Sequence, residues 1–242
     1  MLAIEVQNLT KKYPHTLAVD DISFTLRKGQ VLGLLGGNGA GKTTTISMAL
    51  GLLTPTAGQI MVLGHDMARD RFAALARMNV SSPYIALPAR LSVIETLRVY
   101  GLLYNVPRLA RRIEDLLEQF NLSALRNRPT GALSAGQKTR VALAKSFINK
   151  PEILLLDEPT ASLDPDTGDF VRTTLKQYCA DEGAAILLAS HNMAEVEPLC
   201  DDVLMMKAGR IVDRGAPEEL IARYGRDDLE QVFLDIARSP AI

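Results

Sequence analysis

Two stretches near the start alternate apolar and polar residues: LAIEVQNLTKKY at 2–13 and AVDDISFTLRKG at 18–29, with Pro14 and His15 between them. That alternation predicts two half-buried strands joined as a hairpin, and GQIMVLG at 58–64, after the turn signal TPTAG, predicts a further strand. QVLGLLG at 30–36 does not alternate; it reads as a strand covered on both faces, and KTTTISMALGLL at 42–53 follows with helical period. From about Arg90 the period becomes helical throughout. Ser92 and Glu95 form an S-x-x-E capping box that opens a helix running to about Asn105, with Pro107 beyond it. RLARRIEDLLEQFN at 108–121 and SAGQKTRVALAKSFINK at 134–150 predict two more helices. After Pro151 strand and helix take turns: EILLLD, PDTGDFVRTTLKQYCAD, AAILLAS and NMAEVEPLC, then the short strands DVLMMKAG and RIVDRG, then a helix at APEEL with Pro217 in its first turn.

Buried strands alternating with helices predict an α/β fold with a mostly parallel sheet covered on both faces. No repeat, low-complexity linker or charge run divides the chain. The expectation is one domain: an antiparallel β margin and first core segment about 1–82, a helical insertion about 83–150, a second core segment 151–215 and short C-terminal helices at 216–242.

Composition narrows the classes. The chain has 242 residues, 47% of them hydrophobic, and a formal charge of −1, so no bulk electrostatic attraction to nucleic acid or anionic membrane is expected. Cys179 and Cys200 lack metal-site spacing, and no secretory signal is recognised, which points to a reducing compartment. The longest apolar runs fall well short of the about 20 residues that cross a bilayer.

The candidate chemistry starts at LLGGNGAGKTTT. Gly36, Gly41, Lys42 and Thr43 match G-x-x-x-x-G-K-[ST], a phosphate-binding loop whose context, strand before and helix after, is also present. In that pattern the backbone amides of Gly36, Asn38, Gly39, Ala40 and Gly41 and the start of the next helix cradle phosphate. Lys42 reaches the β- and γ-phosphates, Thr43 supplies a hydroxyl to Mg²⁺, and Thr44 adds a phosphate contact. ILLLDEP supplies the second element: Asp157 ends an apolar strand and supports the Mg²⁺ shell through water, and Glu158 is placed to act as general base on the attacking water.

With these residues quoted, the chain resembles the ATP-binding subunit of ATP-binding cassette (ABC) transporters over nearly its whole length. LSAGQ, Leu133 to Gln137, is close to the family signature LSGGQ, with Ala135 in place of one glycine. The resemblance implies an ABC ATPase fold, ATP and Mg²⁺ as ligands, and hydrolysis in a head-to-tail dimer, either a homodimer or a heterodimer with a related ATP-binding subunit. There Ser134, Gly136 and Gln137 of one copy cap the nucleotide held by the other. It also implies that Tyr13 stacks on adenine, that Asp164 in ASLDP communicates across the dimer, and that His191 contacts the γ-phosphate. A separate membrane-spanning permease is implied, with the ATPase peripheral on the cytoplasmic face and no nucleic acid. Tyr84, Tyr100 and Tyr104, in or near the first helix of the insertion, fit a surface for that partner and core packing equally well, and the compact layout looks most like ABC-2-type exporters. One departure stands out: where the family usually carries a glutamine, alignment falls on Pro83, with Ser81 and Ser82 beside it. The alternatives are a non-transport ABC-type ATPase, disfavoured because Lys42 and Asp157 are only 115 positions apart in a single-cassette chain, or a nucleotide-binding regulatory module.

Overall fold

In the computed structural model, which describes residues 1–82, 86–159 and 163–239, ten strands form two sheets. β1 (Leu2–Tyr13) pairs antiparallel with β2 (Thr16–Arg27) and with β4 (Ala57–Val62), and β5 (His65–Asp66) closes this four-stranded sheet. The second sheet runs β10 (Arg210–Gly215), β9 (Asp202–Lys207), β3 (Val31–Gly36), β8 (Ala185–Ser190), β7 (Ile153–Asp157), β6 (Met78–Ser81). All its pairs are parallel except β10 with β9.

Strand period explains how this sheet makes two cores. Leu32 and Leu34, Ile153 and Leu155, Leu187, and Leu204 point to the side shared with α1 (Lys42–Ala49) and the four-stranded sheet. Val31 and Leu35, Leu154 and Leu156, Ile186 and Leu188, Val203 and Met205 point the other way. There they meet α3 (Val93–Leu103), α4 (Leu109–Gln119), α5 (Ala135–Ser146), α6 (Pro165–Glu182) and the C-terminal pair α8 (Pro217–Tyr224) and α9 (Leu229–Arg238). Each such buried aliphatic contributes roughly 1.5–3 kcal/mol, which is why the strands read as unbroken apolar runs.

Several element ends differ from the sequence reading. α1 stops at Ala49 rather than near residue 53, because Gly51 takes φ 66° and the amides of Gly51 and Leu52 close onto the carbonyls of Met48 and Ser47. This is a Schellman closure, which turns the chain out of the helix. α5 ends at Ser146, four residues early. α7 (Met193–Val196) is a single turn where a helix through Cys200 was expected; Pro198 has no amide to continue it. β5, β6 and α2 (Arg71–Leu75) were not anticipated at all.

The helical part is stitched to β6 by polar bonds from one face of α5 and the residues just beyond it. Lys145 donates to the carbonyl of Val80 at 3.1 Å and lies 5.2 Å from the centroid of the Tyr100 ring; Asn149 donates to the carbonyls of Ala76 and Met78. Lys145 is only 5% exposed, and burial pushes its ammonium down to about 8. The unfolded chain therefore holds more protons than the folded one between pH 8 and Lys145's ordinary value near 10.5. Stability from this group is lowest below pH 8 and is recovered as pH rises through that window. Chemical denaturation of wild type and Lys145→Met should show the difference moving in favour of wild type from pH 8 to pH 10, by up to ~3 kcal/mol. A difference that is flat with pH would remove Lys145 as its source.

Candidate active site

The site forms where β3, β7 and β8 end, at the carboxyl edge of the parallel sheet, the usual ligand position in open α/β folds. β3 delivers Gly36, and the loop to α1 turns so tightly that larger residues do not fit. A Cβ on Gly36 would stand 2.6 Å from the carbonyl oxygen of Met206, and one on Gly41, at φ 105°, 2.5 Å from that of Ala18. α1, like α2 and α4, has no side-chain cap at its first turn. Ser92, Ser134, Asp164 and Asp228 place a side-chain oxygen on the first-turn amides of α3, α5, α6 and α9, whereas α1 begins at Gly41 with no side-chain cap and no acidic residue. Its amides and dipole face the loop, an anion-binding arrangement.

That loop closes a cavity of about 370 Å³ lined by Tyr13, Thr16 and Ala18, by Gly37 through Thr44, and by Asp157 and Glu158. Every loop residue named from the sequence lines it except Gly36, which forms its base at the end of β3. The Lys42 ammonium turns back into the loop, donating to the carbonyls of Gly36 at 2.6 Å and Gly37 at 3.2 Å. Burial lowers its pKa, against the pull of the Glu158 and Asp157 carboxylates. Asp157 is shifted up, chiefly by burial and opposed by a hydrogen bond from Thr43, whose Oγ1 donates to Oδ2 at 3.2 Å.

Thr43 and Asp157 thus present a hydroxyl and a carboxylate side by side, hard oxygen donors of the kind Mg²⁺ accepts while keeping waters and phosphate oxygens. Among the described residues no group of three or more His, Cys, Asp and Glu could hold a metal.

Glu158 sits at φ 52°, a left-handed backbone unusual for a side-chain-bearing residue, and its amide donates to the carbonyl of Ala189 at 2.8 Å. Its carboxylate is held from β8: Ser190 Oγ donates to Oε2 at 3.2 Å, and His191 Nδ1 lies 2.6 Å from Oε1. This backbone accompanies a carboxylate that meets His191 and Ser190. Ser190 was not anticipated, although a serine closing an apolar strand just before His191 is a visible signal.

Tyr13 is 39% exposed at the cavity rim, with the Lys11 ammonium 5.3 Å from its ring centroid. Ser134, Gly136 and Gln137 stand elsewhere, at the exposed start of α5. Ser134 Oγ accepts from the Gln137 amide, and the Gln137 side chain accepts from the Ser134 amide. Gly136 packs against the first turn of α6, where a Cβ would lie 3.3 Å from Thr167 Oγ1 and 3.6 Å from Asp164 Oδ2. Asp164 is the cap of α6, bonded to the Thr167 amide and hydroxyl. Ser81 ends β6, buried; Pro83 and Tyr84 lie outside the described residues.

A family profile described as "ABC transporter" matches residues 19–161. Nod factor export ATP-binding protein I of Ralstonia nicotianae is 37% identical over 234 residues, 96% of this chain and 73% of that protein. ABC transporter ATP-binding protein NatA of Bacillus subtilis is 38% identical over 220 residues, 90% of this chain and 89% of that one. A solved ATP-binding subunit of an ABC transporter superposes with a TM-score of 0.89 at 27% identity, covering 98% of this chain and all of the other.

Proposed function

The chain belongs to the ABC transporter family, as an ATP-binding domain, and from that premise we propose that it is the ATP-hydrolysing subunit powering export through a separate membrane-spanning partner. The observation that carries the chemistry is Glu158, held between Ser190 and His191 at the wall of the phosphate cavity. The triphosphate lies along the amides of Gly37 to Gly41 with Lys42 on its β- and γ-oxygens, and Tyr13 offers its ring to adenine. Thr43, directly, and Asp157, through water, would hold Mg²⁺, which neutralises charge building on the phosphate oxygens. Glu158 takes a proton from water as the water oxygen bonds to the γ-phosphorus; the bond to the β–γ bridging oxygen breaks, leaving ADP and phosphate. His191 holds Glu158 in line and reaches the departing γ-phosphoryl group. Transfer of this kind rests on positioning and charge more than on covalent chemistry.

Completion of the site by a second copy is part of this reading. The exposed Ser134, with the amides of Ala135 and Gly136 that its capping box does not use, offers a γ-phosphate a second cradle facing outward. Gly136 lets that turn sit directly on Asp164, so movement of one copy's signature is felt at the start of α6.

The membrane partner is supported by an apolar groove of about 500 Å³ between the sheet and the helical part, lined by Leu50, Leu52, Phe72, Leu75, Leu103 and Tyr104 among others. Leu52, Phe72 and Leu103 are each more than 70% exposed, large side chains that single chains seldom leave together in water. Among the described residues no helix is long and apolar enough to cross a membrane. Export follows the Nod factor export protein among the relatives, and the ABC-2 subclass the compact layout.

The partner reading is tested by Phe72→Glu with Leu103→Glu. The double variant should keep ATP binding in solution yet lose recovery with native membranes, read by flotation and immunoblotting. Recovery equal to wild type would reject the groove as the docking face.

A further inference from the structure

We propose that α9 is a brace between the phosphate loop and the His191 segment, with Lys207 and Glu197 as the positioning residues at its two ends. Lys207 leaves β9 and spends its ammonium on the carboxyl end of α9, donating to the carbonyls of Ile236 at 2.7 Å, Ala237 at 3.0 Å and Ser239 at 2.6 Å. Three acceptors saturate an ammonium, and a cation at this end of a helix also meets the dipole favourably. The turn that follows is fastened to the phosphate loop: the Gly209 amide donates to the carbonyl of Ala40 at 3.1 Å. Phe233, Ile236 and Ala237, one face of α9, share a cavity of about 260 Å³ with Gly37, Asn38, Gly39 and Ala40, loop residues that also line the nucleotide cavity. The carboxyl end of α9 therefore backs the loop that would grip phosphate.

The opposite end reaches the other half of the site. Glu197, which closes the single turn α7 just after His191, accepts from the Leu229 amide at 3.1 Å, satisfying one of the first-turn donors of α9. Met193 and Val196 anchor α7 in the core that also takes Leu229, Val232 and Ile236. Between β8 and α7 there is only His191 with Asn192, whose amide donates to Ser190 Oγ. One rigid helix thus fixes the loop relative to the segment that holds Glu158. Neither Lys207 nor Glu197 lines the nucleotide cavity, so both act through other residues.

This inference rests on ATP turnover by the chain, and its test separates the two ends. Lys207→Met should raise KM for ATP about tenfold with kcat within about twofold of wild type, because the loop loses its backing while Glu158 keeps its partners. Glu197→Ala should do the reverse, lowering kcat about tenfold with KM nearly unchanged. Lys207→Arg, which still donates to the carbonyls, should restore KM to within about threefold. A merely structural role would lower the melting temperature and leave KM alone in the folded fraction. Wild-type KM in Lys207→Met, or no rescue by Lys207→Arg, overturns the brace. Hydrogen exchange on the wild-type chain gives an independent reading: MgADP should slow exchange in 229–238 together with the loop, and unchanged α9 amides would overturn the proposal. Absence of wild-type turnover would count against the ATPase assignment, whereas the exchange measurement still judges the brace.

Discussion

Glu158→Gln leaves ATP bound and lowers phosphate release by about 10²–10⁴-fold, the range a general base contributes. The amide is the same size as the carboxylate and keeps an oxygen facing His191 and Ser190, so the wall of the cavity is preserved; what disappears is the capacity to take a proton. The ground state gains as well. Asp157 and Glu158 bring two carboxylates to a cavity meant for a triphosphate; Lys42 feels both, and Asp157 is raised in part by Glu158. Removing one charge eases the approach of the γ-phosphate, so ATP affinity is expected to hold or rise. If a second copy's Ser134 completes the site, unhydrolysed ATP then keeps two copies together. Light scattering after size exclusion should give a dimer for Glu158→Gln in MgATP and a monomer without nucleotide. Turnover like that of wild type would remove Glu158 as base, and a monomer at saturating ATP would remove the sandwich while leaving the base intact.

The arrangement of the candidate site is legible in the sequence wherever it is local. Glycine, lysine and hydroxyl follow one another within a single turn from β3 to α1, and Asp157 with Glu158 closes an apolar run, so spacing alone carries those residues. Contacts between distant segments were not legible. Thr43 and Asp157 are 114 positions apart, Ser190 and Glu158 are 32 apart, and the bonds from Lys207 into α9 join a strand end to a helix named only as one of the short C-terminal ones. The missed and misjudged elements have separate physical causes. β6 is four residues long and carries Asn79 inside it, buried because its side chain donates to Asn149; a buried polar pair breaks the apolar run by which β3, β7 and β8 were found. β5 has two residues, too few for any period. α1 and α7 were drawn too long because Leu50, Leu52 and Leu53, and later Leu199, continue a helical spacing that Gly51 and Pro198 override through the backbone. Periodicity reports which side chains share a face and is blind to where the backbone turns.

Lys42→Ala abolishes useful nucleotide binding without unfolding the chain. Lys42 is 7% exposed, and its ammonium is the positive charge bonded to the loop carbonyls and felt by Asp157 at the end of β7 and by Glu158 just beyond it. With it gone, a triphosphate entering the cavity meets Asp157 and Glu158 without a compensating lysine. Losing its charged contacts to two phosphates, about 1.5–3 kcal/mol each, lowers ATP affinity by ~10²–10⁴-fold. The same burial gives the sign for the unliganded fold. The lysine pKa is lowered because the folded state disfavours its charge, so its removal should leave the melting temperature without nucleotide equal to or above that of wild type. MgATP should then raise the melting temperature of wild type and fail to raise that of Lys42→Ala, because ligand stabilisation scales with occupancy of the folded site. Two outcomes would contradict this account. A variant that melts far lower without nucleotide would make Lys42 a structural cation of the loop. One that still gains stability from MgATP would mean that the amides of 37–41 and the start of α1 hold the triphosphate alone.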